Sequence, residues 1–236
     1  MCAAANGWGL ETLGGHDAQS PPRFFDRLDI PIGPAQFLNT GYTGVVAARR
    51  DLMDLRYGFG HQALDLAATL GSRLDQPFER LQSPDLLARW FVDAGLLERP
   101  PSVDKTLLGE TRELREAIYR LVDAARHGKS GTASDVALLN AWARRPTAAP
   151  QTSTNFDRSD VAADPARAAI ARLARETVNL LTGPDVTRVR RCARPGCPLL
   201  FLDLSRPGRR QWCSMERCGN LVKTARYRHS RAGGKH

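Results

Sequence analysis

The chain has 236 residues, 42% of them hydrophobic, and carries a formal net charge of +9. A chain of this length can form one domain with a sizeable core and a small appendage. No stretch approaches the roughly twenty apolar residues of a membrane-spanning helix, and the first residues lack the basic and apolar regions of a secretory signal. We therefore expect a protein of the cytoplasm that has no membrane partner.

Residues 1–55 are interpreted as an N-terminal extension. Glycine and proline are scattered through residues 1–33 without a sustained hydrophobic period, which predicts irregular structure there. From Pro34 onward the residues are compatible with a helix. Cys2 lies in this extension, far from the other four cysteines, so we expect it to be an incidental thiol.

Residues 56–185 predict a series of amphipathic helices. Ser83 before Pro84 is a typical helix start, and Thr132 with Asp135 three residues later resembles a capping arrangement. In each segment apolar residues recur every three or four positions, which predicts one buried face per helix. Val136 is expected on such a face. The expected helices cover about residues 83–97, 103–127, 132–144 and 164–182.

Little in this helical part indicates catalysis. Its histidines stand apart from one another, and it contains no glycine-rich phosphate loop, HExxH pair or G-x-S-x-G elbow. His61 and Asp65 are four residues apart on a helix, but a pairing without catalytic role is the simpler interpretation. Three aromatic residues are expected in the core, although as an alternative they line a ligand pocket: Trp90, Tyr119 and Trp142.

Four cysteines near the C-terminus predict a metal site. They form two pairs with four residues inside each pair and fifteen residues between the pairs. Such spacing encloses one tetrahedral ion, and a set of four sulfurs favours zinc in a closed, structural site. Disulfides would need an oxidising compartment, and an iron–sulfur cluster is a further alternative. The expected ligands are Cys192, Cys197, Cys213 and Cys218.

The segment around these cysteines is strongly basic. From Val186 to His236 the chain has eleven Arg and two Lys against two acids, a net charge of +11, whereas the remaining residues sum to −2. A cationic segment too small for a core of its own is typical of proteins that bind a polyanion. Nucleic acid is the expected partner, and the two histidines here, His229 and His236, are left out of the ligand set.

Local patterns predict how this segment folds. Phe201, Leu202 and Leu204 suit a short strand, and the polar run 205–208 suits a turn before the chain returns toward the metal at Gln211 and Trp212. A basic helix is expected to begin at the last cysteine. The residues expected to contact phosphate are Arg206, Arg209, Arg210, Arg217, Lys223, Arg226 and Arg228.

The run from Arg188 to Arg228 resembles the CGNR zinc finger of bacterial proteins. The cysteine spacing, the letters FLDLSR and the run WCSMERCGN all agree with that family, except that Leu221 stands where the family usually has arginine. The resemblance implies a treble-clef-like finger with the second cysteine pair at the start of the terminal helix. It also implies binding to DNA as a transcriptional regulator.

The preceding part resembles the ABATE domain, which normally precedes CGNR fingers. The runs RYGFGHQALDLAATLGSR and ERLQSPDLLARWFVDAGLL carry this likeness, although Ala68 replaces the usual asparagine. The resemblance implies a small hairpin near the threonine-rich stretch 152–156. The short link between the last helix and Cys192 predicts that the finger is docked against the helical part.

We therefore expect a mainly α protein: an extension over 1–55, an ABATE-like helical domain over 56–185 and a zinc finger with a basic tail over 186–236. The finger would bind zinc and double-stranded DNA. The helical domain would bind a small-molecule effector, form a homodimer or recruit a partner. Two alternatives stay open: an RNA-binding module, and a biosynthetic tailoring enzyme or ligand-binding protein whose finger is only structural.

Overall fold

The computed structural model describes residues 54–233, with the backbone alone for His229 and residues 231–233. Cys2, most of the predicted extension and His236 lie outside the described residues. In the part of the chain that is described, no helix is both long and apolar enough to cross a membrane.

The first part of the described chain is mainly helical, as predicted, with two small antiparallel hairpins. Strand β1 pairs with β2, and β3 pairs with β4 over four residue pairs, so the hairpin expected near residue 152 is present. The elements are α1 Gln62–Ala67, β1 Leu70–Gly71, β2 Phe78–Glu79, α2 Pro84–Asp93, α3 Lys105–Ala125, α4 Ala133–Ala143, β3 Ala149–Thr152, β4 Arg158–Val161 and α5 Pro165–Thr182.

Side-chain caps fix where the helices begin. The Ser83 hydroxyl accepts a hydrogen bond from Leu86 N–H, and Thr132 accepts one from Asp135 N–H, as the sequence predicted. Helix α2 ends at Asp93, four residues before the predicted end. Gly95 adopts φ +68° just after it, which turns the chain out of the helix.

The core lies between α1, α2, α3 and α5. Trp90 and Phe91 of α2 pack there with their rings 5.8 Å apart, so Trp90 is a core residue. Val136 was expected in the core, but it is 41% exposed, because α4 packs through Leu139 and Trp142. The largest fully buried aliphatic side chains include Leu64, Leu66, Leu81, Leu87, Leu114, Ile118 and Ile170.

A buried ion pair holds the first hairpin against α3. Both nitrogens at the end of the Arg115 side chain donate to the Glu79 carboxylate at 2.7 Å, and one of them also donates to Thr69. Sequence analysis predicted neither this pair nor β1 and β2. A two-residue strand is too short to show a hydrophobic period, so no local pattern indicated this hairpin.

The last part of the chain contains a hairpin, a long loop and a terminal helix. The hairpin pairs β5, Val189–Arg191, with β6, Leu200–Leu202. A π-helical turn over Met215–Gly219 leads into α6, Asn220–Gly233. The strand was expected to include Leu204, but that side chain is 58% exposed and follows the strand.

The hairpin packs directly on the helical part, as the short link predicts. All three residues of β6 are buried, and the N–H of Leu202 donates to the Phe59 carbonyl at 2.7 Å. The Tyr119 hydroxyl of α3 donates to the Pro198 carbonyl at 3.0 Å. Strand β6 therefore belongs both to the finger and to the common core.

Candidate metal centre and basic surface

Four buried thiols converge at the end of the β5–β6 hairpin. Their sulfur atoms all lie within 4.8 Å of one another. Three of the distances between sulfurs are 3.9 Å for Cys197 to Cys213, 3.4 Å for Cys213 to Cys218 and 3.9 Å for Cys218 to Cys197. Tetrahedral zinc with Zn–S bonds of about 2.3 Å needs sulfurs about 3.8 Å apart. The four cysteines are thus positioned to bind one metal ion, and their geometry fits Zn²⁺.

Local turns aim the two cysteine pairs at one point. Between β5 and β6 the chain turns back, with a hydrogen bond from Cys197 N–H to the Arg194 carbonyl at 3.0 Å and Gly196 at φ +74°. The second pair is held by the π-helical turn, where Cys218 N–H donates to the Ser214 carbonyl at 3.0 Å. The fixed backbone leaves the sulfurs little freedom to separate.

Hydrogen bonds to sulfur favour the thiolate form that a metal requires. The backbone N–H of Leu199 donates to Cys197 Sγ, and that of Cys213 donates to Cys192 Sγ. Hydrogen bonds from the neighbouring thiols, first that of Cys192, lower the pKa of Cys197. Hydrogen bonding to Cys192 and then to Cys197 raises the pKa of Cys218. A divalent cation would supply the charge that allows all four sulfurs to be thiolates.

The loop between the two pairs is organised around Asp203. Its carboxylate accepts hydrogen bonds from Ser205 Oγ at 2.6 Å, Ser205 N at 3.0 Å and Arg210 N at 2.9 Å, and these bonds, first that of the hydroxyl, lower the pKa of Asp203. Arg210 in turn donates Nε to the Trp212 carbonyl at 2.8 Å, with its guanidinium 4.6 Å from the Phe201 ring centre. These contacts fix the backbone next to Cys213 and so hold its sulfur at the metal centre.

The predicted phosphate-contacting residues fall into two groups. Among the described residues, the first group forms no ion pair with a carboxylate and is exposed to solvent: Arg206, Arg209, Lys223, Arg226 and Arg228. The second group is half-buried. Arg210 supports the loop, and Arg217 lies against the helical part. Arg190 and Arg191 of β5 are also exposed, and sequence analysis did not single them out.

Terminal helix α6 leaves the body of the protein soon after it begins. Leu221 is 56% exposed, and every described side chain from Lys223 to Arg228 is exposed on all faces of the helix. Ala225 is exposed as well, because the helix has already moved past the hairpin. What remains is a basic helix that faces solvent.

The catalytic candidates have structural roles. His61 caps α1, where its Nδ1 accepts from Ala63 N–H at 3.1 Å. The Asp65 carboxylate accepts a hydrogen bond from Phe59 N–H at 2.9 Å, and burial raises the pKa of Asp65 to about 6. The two side chains thus serve separate backbone contacts and form no joint site.

Comparisons with known proteins agree with both parts of this architecture. The ABATE family model, described as "Putative stress-induced transcription regulator", matches residues 60–184. The CGNR zinc finger model matches residues 188–231, which include all four cysteines. A comparison with curated proteins gives no match. Since the ABATE match covers more than half of the chain, the chain belongs to the ABATE family and carries a CGNR zinc finger after that domain.

Proposed function

We propose that this protein is a transcriptional regulator that binds double-stranded DNA through its zinc-bound finger. In this proposal Cys192, Cys197, Cys213 and Cys218 hold a structural Zn²⁺. The ion has a closed shell of four sulfurs, so it supplies shape and no chemistry. The helical domain would sense an effector or form a homodimer, and so connect a signal to the finger.

The proposal depends on one observation: exposed basic residues of the finger are not neutralised by carboxylates. Within the described part of the chain, Arg206, Arg209, Arg226 and Arg228 are exposed and form no ion pair with an acid. Guanidinium groups on a structural surface are often neutralised by neighbouring carboxylates, as Arg89 is by Asp93 here at 3.2 Å. Basic groups that stay unneutralised are available for phosphates.

The shape of the finger suits a duplex. Helix α6 presents basic residues on several faces beyond the body of the protein, and an exposed helix of this kind fits the major groove. The loop carrying Arg206 and Arg209 belongs to the same zinc-bound unit. Phosphate contacts by both elements would fix the helix relative to the backbone, whereas base contacts would select the sequence.

Fluorescence anisotropy with labelled duplex DNA and structured RNA across a salt series tests this proposal. The double variant Arg226→Gln/Arg228→Gln should reduce the slope of log affinity against log salt by about 0.9 for each phosphate that the protein no longer neutralises. The matched control is Arg99→Gln/Arg144→Gln, which removes the same charge from exposed positions of the helical part. It should leave the slope unchanged.

Three results would contradict the proposal. Equal reductions of affinity in both double variants would mean that general attraction, and no particular surface, explains binding. Equal affinity and slope for duplex DNA and RNA would favour the RNA-binding alternative. Absence of binding to either polymer at about 50 mM salt would exclude nucleic acid as the partner.

A further inference from the structure

A pocket of about 280 Å³ lies where the finger meets the helical part. Four arginines line it. Arg56 and Arg80 belong to the helical part, and Arg194 and Arg217 belong to the finger. Among its lining residues Glu216 is the one acid. The pocket therefore concentrates positive charge at a junction, and its lining includes none of the exposed basic residues that the proposed DNA surface uses.

Arg80 is fixed in place. It is 2% exposed, it donates Nη1 to the Ala68 carbonyl at 2.9 Å, and its guanidinium stacks 4.5 Å from the centre of the Phe78 ring. A guanidinium held by packing and a hydrogen bond loses little further freedom when an anion arrives. The Arg80 guanidinium therefore forms a preorganised part of the pocket wall.

The finger contributes two donors that have no acceptor. The Nε atoms of Arg194 and Arg217 are both buried, and within the described part of the chain neither has a hydrogen-bond partner. A buried donor left unsatisfied is unfavourable by about 1–3 kcal/mol, so it generally marks a group that meets water or a ligand. Here two such donors line the same pocket, and an oxyanion is the ligand that satisfies both.

The metal centre alone does not account for these two donors. Arg194 contacts the sulfur of Cys197, so its guanidinium partly balances the tetrathiolate, which carries a charge of about −2 around Zn²⁺. That contact nevertheless leaves Arg194 Nε without an acceptor among the described residues, and the same holds for Arg217 Nε. These two donors therefore still need an acceptor, from water or from a ligand, when the metal is bound.

The volume of the pocket and its apolar lining residues indicate which class of ligand it binds. A volume of about 280 Å³ lies just below the usual range for ligand pockets, about 300–1,000 Å³, so the ligand must be small. Phe78, Leu199 and Leu221 supply the apolar side of the lining. We propose that this pocket binds a small organic phosphate, with the phosphate against Arg194 and Arg217 and the organic group against the apolar side.

Such a ligand would join the two parts of the protein, since it would touch Arg194 and Arg217 of the finger and Phe78 of the helical part. Its binding stabilises the docked arrangement of finger and helical part by mass action. The proposal concerns the pocket alone and does not depend on DNA binding, so its test contains no nucleic acid in the first step.

The test uses the full-length zinc-loaded chain in isothermal titration calorimetry at constant ionic strength. The probes are inorganic phosphate and phenyl phosphate. We expect saturable binding of one probe per chain, tighter for phenyl phosphate, and at least tenfold weaker in Arg217→Gln and in Arg194→Gln. Arg209→Gln removes the same charge from an exposed position of the finger outside the pocket, and it should bind as the original chain does. Zinc content and circular dichroism establish that each variant is folded.

Absence of saturable binding to the original chain would overturn the proposal. So would equally weakened binding in Arg209→Gln, because the affinity would then reflect surface charge. An adventitious ion only, bound equally by all variants, would overturn it as well. Phenyl phosphate binding no tighter than inorganic phosphate would contradict the organic part of the ligand.

A second measurement separates a free phosphate from a phosphate of the DNA backbone. If the pocket holds a free ligand, Arg217→Gln leaves the salt slope of DNA binding unchanged. If a backbone phosphate enters the pocket, the slope falls by about 0.9 and the small-ligand proposal fails. Failure of the original chain to bind DNA, with phenyl phosphate binding intact, would instead remove only the proposed function.

Discussion

The backbone N–H of Leu202 donates to the Phe59 carbonyl at 2.7 Å, and this bond joins the finger's β6 to the loop before α1. The close approach depends on Gly60, whose φ is +85° and where a Cβ would lie 2.8 Å from Leu202 O. Only glycine combines that backbone conformation with that clearance. Docking of the finger thus requires glycine at this one position of the helical part.

Substituting Gly60 should destabilise the whole protein. Gly60→Ala introduces a left-handed alanine and a clash with backbone, so the free energy of unfolding should fall by about 2–4 kcal/mol. Gly58→Ala is the matched control. Gly58 has the same φ of +85°, but nothing lies within 4 Å of its Cβ position, so only the conformational cost of about 1–2 kcal/mol applies. Urea denaturation measures both, and equal destabilisation would mean that the docking contact is unimportant.

Removal of one sulfur ligand should release the metal. In Cys197→Ser the zinc content should fall from one ion per chain to a small fraction, because a hydroxyl is a poor replacement for a thiolate. Loss of several kcal/mol of metal-binding free energy should lower the melting temperature by roughly 10 °C or more. Mass spectrometry of the metal and a thermal scan measure these effects. Cys2→Ser, the control, should keep its zinc, and retention of one ion by Cys197→Ser would contradict the assigned site.

Asp65 should make stability depend on pH. Burial raises its pKa from the ordinary 3.8 to about 6 in the folded state, so its contribution is fully present below pH 3.8 and is lost as pH rises through 6. Asp65→Asn removes this dependence. Relative to the original chain, the variant should gain about 2 kcal/mol between pH 4 and pH 7. Urea denaturation across this range measures the change.

The control for that pH series is the exposed Asp75→Asn. Its stability should follow that of the original chain in parallel across the range. If Asp65→Asn also ran parallel, Asp65 would not hold its proton in the folded protein. The buried contact with Phe59 N–H would then be that of an ordinary carboxylate.

Two adjacent arginines of the finger should behave differently. Arg210→Gln removes the hydrogen bonds to the Trp212 and Cys213 carbonyls, so the free energy of unfolding should fall by about 1–3 kcal/mol. Arg209→Gln should change it by less than about 0.5 kcal/mol, because the side chain is exposed. Paired with DNA binding at low salt, the comparison assigns Arg210 to the loop and Arg209 to the phosphate surface. A neutral Arg210→Gln that weakens DNA binding would reverse the assignment.

The sequence carried enough information for the helices and the metal centre. Ser83, Thr132 and Asp164 are caps whose effect is local, so they could be identified from neighbouring residues alone. The cysteine spacing is likewise a local pattern. The end of α2 was misplaced because a single glycine, Gly95, competes with a leucine-rich pattern that continues to Leu97.

The parts that escaped prediction depend on contacts between distant residues. Arg115 and Glu79 are far apart in the chain, and nothing in either neighbourhood indicates that they meet. The loop contact of Arg210 and the half-buried position of Arg217 were not predicted, because composition does not separate such charges from those that face solvent. Their contact with phosphate stays a prediction. The pocket combines arginines from both ends of the described chain, and only the docked fold brings them together.

Strand β6 belongs to both the finger and the common core, so the stability of the whole protein depends on metal supply. A shortage of zinc would do more than alter the basic surface of the finger, since collapse of the hairpin would remove buried aliphatic side chains from the common core. Proteases would then reach the helical part as well. The abundance of this protein should accordingly track zinc supply.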